Sequence, residues 1–309
     1  MAEHVNNEPI NVEAPISTDF SQSDQSSNNI SEMSDGAASK GRAKIWLDVL
    51  VMILMFLLSQ ALGGGLAVLF GVEYPDESML QSFDVDVKED ASFMQARFVA
   101  VSYFISMVIC LAMLWGYKRL RHFPFTLEFR MPGWAAPFRL LWGYCLLWIF
   151  TIALEPLTEL LPGNQDSVGQ GGWLLVSAVL LAPVFEEILF RGYIAGFVRK
   201  TYGAVVAWLV SAVLFALVHG IPSVMVSALF AGLVLSFYYL RYRSLVMVIL
   251  LHAMNNVTAC FLNTINMSDM TLHKLLGGGA IYWSVYGVSL AVAIIALIRM
   301  CKVMQKAKK

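Results

Sequence analysis

Four polar side chains set in otherwise apolar sequence, Glu186, His219, His252 and Asn256, make up a parts list for acyl-bond hydrolysis by an activated water. Carboxylates and imidazoles held in a low-dielectric pocket exchange protons near neutrality, which suits them to general acid–base work. On this reading Glu186 is the general base and His219 its partner on the water. His252 and Asn256 then donate hydrogen bonds to the oxyanion developing on a peptide carbonyl. A second chemistry uses the same groups, because Glu186, His219 and His252 form a His2Glu set, the ligand complement of several catalytic zinc sites. The sequence leaves both routes open. It contains no H-E-x-x-H helix, and Ser211 and Ser227 lack the G-x-S-x-G surroundings of a nucleophilic serine.

Each of these residues has a plainer role available. Ionisable groups at membrane depth cost about 2.5–3.5 kcal/mol each on insertion scales, so their presence calls for a reason. In the stretch Ala182-Pro183-Val184-Phe185-Glu186-Glu187-Ile188-Leu189-Phe190-Arg191-Gly192, helical phase places Arg191 about 40° from Glu187 and about 140° from Glu186. Glu187 and Arg191 are therefore expected to form a structural ion pair. Glu186 is left without a partner in its own helix, either as the base or as a locally solvated carboxylate. His219 taken alone reads as an interfacial histidine at a helix end. His252 and Asn256, one turn apart, read equally as hydrogen-bonding glue between helices. Depth favours their convergence: at 1.5 Å per residue Glu186 lies about 20 Å from Lys200, His219 about 24 Å from the start of its span and Asn256 about 18 Å from the start of its own. His252 is shallower, at about 12 Å.

The elements that must position these groups are membrane helices. Hydrophobic residues make up 58% of the chain and charged residues 14%, against about 45–50% and about 25% in soluble domains. The expected fold is an all-α, polytopic transmembrane bundle of about eight spans, near 45–70, 98–117, 137–158, 173–198, 203–219, 222–240, 244–262 and 280–300. Gly220-Ile221-Pro222 is too short for a folded loop, so the spans on either side should form a tight antiparallel pair. Lys40, Arg42 and Lys44, then Lys118, Arg119, Arg121 and Arg130, then Arg199, Lys200, Arg241 and Arg243, and finally the basic tail 301–309 all fall on one side. That bias predicts both termini in the cytoplasm. Residues 1–39, polar and poor in aromatics, read as a disordered cytoplasmic tail, and residues 40–300 as the membrane domain. The segregated charge is loop asymmetry and implies no nucleic-acid partner. Cys110, Cys145, Cys260 and Cys301 show no C-x-x-C spacing and read as small core residues.

The ordered patterns E-E-x-x-x-R (Glu186, Glu187, Arg191), F-x-x-x-H (Phe215, His219) and H-x-x-x-N (His252, Asn256) resemble the CAAX proteases and bacteriocin-processing enzymes, also called the Abi family. The resemblance covers a peptidase core at about 170–262. It implies a helical endopeptidase of the cell membrane that acts on a peptide or protein substrate near the bilayer. Its catalytic residues would be Glu186, His219 and His252, with Asn256 as oxyanion donor. It also implies a divalent metal such as zinc, or alternatively a metal-free glutamate route. Two other classes compete: a non-catalytic scaffold or immunity protein of the same fold, and a transporter using the polar groups as a proton relay. The absence of internal repeats counts against the transporter.

Overall fold

In the computed structural model the backbone is described for residues 21–82, 84–131, 133–162, 171–265 and 270–307, and side chains from Ile45 onward. The chain divides into a unit of residues 1–47 and a unit of residues 48–309, and the site lies entirely in the second. Among the described residues the secondary structure is helical throughout. The expected tail at 1–39 falls partly outside the described residues; from Ser21 the backbone is helical.

Among the described residues seven helices are long and apolar enough to cross a membrane, making this an integral multi-pass membrane protein. They are α1 (Ser21–Leu69, with its apolar span at Ile45–Leu69), α2 (Val85–Leu120), α3 (Ala136–Glu159), α4 (Gly172–Leu217), α5 (Pro222–Tyr242), α6 (Leu245–Thr264) and α7 (Ala280–Lys306). The difference from eight expected spans lies in α4, whose 46 residues contain the fourth and the fifth. Straight, it would be about 70 Å long, more than twice a hydrocarbon core of about 30 Å. It is not straight. Gly203 breaks the helix at φ 81° and ψ −178°, a conformation that only glycine adopts readily. The second limb folds back along the first, so that Ser211 Oγ donates to Phe190 O at 3.0 Å and the rings of Phe190 and Phe215 meet edge to face at 5.4 Å.

Outward faces of the spans carry Leu54, Leu57, Trp142, Ile294 and Ile298, all exposed, as suits side chains facing lipid. Inward contacts rely on small residues that let backbones approach. Gly232 of α5 sits against Ala212 of α4, where an added Cβ would lie 3.1 Å from the Ala212 Cα. Gly143 of α3 faces Tyr238 and Leu251, drawing α3, α5 and α6 together. The tightest approach is Gly63 of α1 on α2: a Cβ there would lie 2.0 Å from Ser106 Oγ and 2.6 Å from the Ser102 carbonyl oxygen. The second of these is backbone and cannot swing away. Gly63→Val is therefore expected to force α1 from α2 at a cost of about 1–3 kcal/mol, read as a lowered thermal midpoint in detergent; an unchanged midpoint would show that the contact tolerates a side chain.

Candidate active site

The first limb of α4 departs from regular α-helix on both sides of the glutamate pair. Val176–Leu181 and Ile188–Ala195 are π-helical, with one α-helical stretch, Ala182–Glu187, between them. Such widened turns are rare and recur at functional sites. The first has a local consequence. In i→i+5 pairing the Ala178 carbonyl looks for its donor to residue 183, which is proline and has no N–H. Asn256 of α6 supplies the donor instead, Nδ2 to Ala178 O at 2.8 Å. This fixes the Asn256 carboxamide between α4 and α6.

Glu187 and Arg191 are fully buried and pair at 2.8 Å, Nη1 to Oε1. The guanidinium also donates to Gly232 O at 3.3 Å and lies over the Phe215 ring, 4.3 Å from its centroid. The same carboxylate oxygen, Glu187 Oε1, is 2.9 Å from His252 Nδ1. An ionised carboxylate accepts only, so in that contact the His252 Nδ1–H donates, and a neutral ring would then present the lone pair of Nε2. Glu187 is thus more than the partner of Arg191: Arg191, Glu187 and His252 form a relay from one helix to another that sets the histidine's tautomer. With Nδ1–H committed to Glu187, Nε2 is the nitrogen of His252 left for the site.

Glu186 points the other way. Its Oε1 accepts from the Tyr103 hydroxyl of α2 at 3.0 Å, and its Oε2 lies 4.0 Å from His252 Nε2, a spacing that one water can bridge. Sequence reasoning does not find Tyr103, because a tyrosine in an apolar helix carries no signal of its own. His219 lies in the turn after α4, where its Nδ1 is 2.7 Å from the Phe215 carbonyl oxygen. A carbonyl accepts, so Nδ1–H donates and Nε2 is again the free nitrogen. The Phe215 ring meets both imidazoles edge to face, at 4.9 Å for His219 and 5.7 Å for His252.

A cavity of about 290 Å³ opens beside these groups. Its lining combines His219, His252, Asn255 and Asn256 with largely apolar stretches of α3 (Leu147, Phe150 and Leu154, with Thr151) and α5 (Ala228 and Ala231, with Ser227). Asn255, a second residue without a clear sequence signal, donates to Asn256 Oδ1 at 3.4 Å. Glu186 is not among the lining residues. His252, which does line the cavity, has Nε2 4.0 Å from Glu186 Oε2.

The zinc-type set of Glu186, His219 and His252 can be tested for fit. Among the described residues no group of three or more His, Cys, Asp or Glu side chains is arranged to hold a metal ion. A tetrahedral zinc about 2.1 Å from each ligand would hold neighbouring donor atoms about 3.4 Å apart, closer than the 4.0 Å between Glu186 Oε2 and His252 Nε2. The residues as placed do not fit the ion.

Residues 169–258, less than a third of the chain, match the family model described as type II CAAX prenyl endopeptidase Rce1-like. The matched segment contains Glu186, Glu187, Arg191, Phe215, His219, His252 and Asn256, and leaves out α1, α2 and α3. No curated protein and no solved structure matches the chain.

Proposed function

We propose, on the premise that residues 169–258 carry an Rce1-like type II CAAX prenyl endopeptidase domain, that the chain is an intramembrane endopeptidase that hydrolyses a peptide bond with a water activated by Glu186. The observation that carries this reading is the Glu186–His252 gap of 4.0 Å, with both groups held from behind by Tyr103 and Glu187. A water between them donates one hydrogen to Glu186 Oε2 and the other to His252 Nε2, which leaves an oxygen lone pair for attack.

The oxygen adds to the carbonyl carbon as Glu186 Oε2 takes the proton. The carbonyl π pair moves onto oxygen. Asn256 has a second Nδ2 hydrogen beyond the one given to Ala178 O, and it is the donor available to that oxyanion. Collapse re-forms the carbonyl and breaks the C–N bond. The departing nitrogen receives the proton from Glu186, giving a new carboxylic acid and a new amine. His219 lines the cavity, and its Nε2 accepts from the substrate's peptide N–H or from the incoming water. The apolar walls give a membrane-proximal substrate, CAAX-like and prenylated in the family's terms, a dry place to lie. The basic bias of the connections supports a cytoplasmic side for both termini.

No step in this route passes through a metal. Protein purified in detergent is expected to contain well under one equivalent of zinc by elemental analysis and to cleave a reconstituted membrane peptide after chelation. Stoichiometric metal that disappears in His252→Ala, together with activity lost on chelation and regained on metal return, would contradict the metal-free route.

A further inference from the structure

We propose that Tyr103 of α2 is a positioning residue for Glu186, so that the working site includes a helix outside the 169–258 segment. The proposal rests on the peptidase reading above. Among the described residues the hydrogen bond that Glu186 accepts comes from another helix, Tyr103 Oη to Oε1 at 3.0 Å. That bond divides the labour of the carboxylate. Oε1 is occupied, and Oε2 is turned to His252 Nε2. Without it, the terminal torsion of a glutamate is broad and roughly two-fold, and either oxygen, or neither, faces the water.

The tyrosine is itself held. Its ring meets Phe185 edge to face at 6.5 Å, and the neighbouring Phe104 meets the same Phe185 at 6.4 Å. Phe185 directly precedes Glu186, so the two α2 rings grip the α4 backbone where the carboxylate leaves it. The ring contacts fix the register of α2 on α4, and the hydroxyl converts that register into carboxylate orientation. Phenylalanine at 103 would keep the first and remove the second.

The test uses full-length protein in proteoliposomes with a membrane-anchored peptide. Tyr103→Phe is expected to lower kcat by about 10- to 100-fold, the scale of a misplaced catalytic group, with KM within about twofold and the thermal midpoint unchanged. Installing p-aminophenylalanine at 103, which restores an N–H donor on the same ring, should return most of the lost kcat. An infrared difference spectrum, wild type minus Glu186→Gln, isolates the Glu186 carboxyl band, and that band should shift in Tyr103→Phe. Wild-type kcat in Tyr103→Phe, or a band that does not move, overturns the proposal. So does a loss of rate that the amino analogue fails to restore, since that would mark a packing role. Wild-type protein that cleaves no peptide while its band still moves with Tyr103→Phe would overturn the peptidase reading and leave the contact itself standing.

Discussion

Replacing Arg191 with methionine is expected to cost most of the folded protein. The guanidinium is fully buried, and its opposing charges and dipoles are Glu187 Oε1 at 2.8 Å, Gly232 O at 3.3 Å and the Phe215 face at 4.3 Å. Removing it takes away the charge partner of the buried Glu187 carboxylate and leaves it His252 Nδ1 at 2.9 Å, while its Oε2 already has no partner among the described residues. Breaking one half of a buried pair costs about 3–5 kcal/mol, a large share of a typical stability of about 5–15 kcal/mol. Arg191→Met should therefore give a much lower yield of monodisperse protein and a lowered thermal midpoint. Replacing the pair together is expected to behave differently. Arg191→Met combined with Glu187→Leu removes both charges and should regain folded protein, because apolar substitutes for a buried pair are often neutral or stabilising. That double variant should still be inactive, since His252 Nδ1 has lost the carboxylate 2.9 Å away that sets its tautomer. A double variant that folds and cleaves normally would remove Glu187 from any part in the chemistry.

Glu186→Gln is the second large effect, and it separates chemistry from folding. Glutamine has the same shape, and its carbonyl oxygen can keep the hydrogen bond from Tyr103 at Oε1. It cannot take a proton from water. Loss of a general base removes about 10²- to 10⁴-fold in rate, which should fall on kcat with KM little changed. The midpoint of unfolding should stay where it is. A parallel fall in stability would instead mark Glu186 as a structural carboxylate.

What the sequence makes legible here depends on distance along the chain. The Glu187–Arg191 contact is readable because residues four apart share a helix face, and it forms even though the backbone from Ile188 is π-helical. That the two glutamates meet different neighbours is readable from the same phase. What joins the helices is not. Nothing in H-x-x-x-N says that His252 is bound by Glu187 or that Asn256 answers a carbonyl left open by Pro183. Tyr103 lies 83 positions before Glu186, in a helix that carries none of the motifs. The number of helical segments is blurred for a related reason. Gly203 turns one continuous helical segment into two antiparallel limbs, and hydropathy sees two spans where the backbone shows one folded helix.

The central claim is that a water held by Glu186 and His252 cleaves a peptide bond. The most direct measurement is cleavage of a reconstituted membrane peptide in heavy-oxygen water, with mass spectrometry of the new carboxyl terminus for wild type and Glu186→Gln side by side. The expected result is one heavy oxygen in the product carboxylate of the wild type and almost no product from the variant, with both proteins equally folded. Equal product from the two, or no cleavage of any membrane peptide by folded wild type, would contradict it.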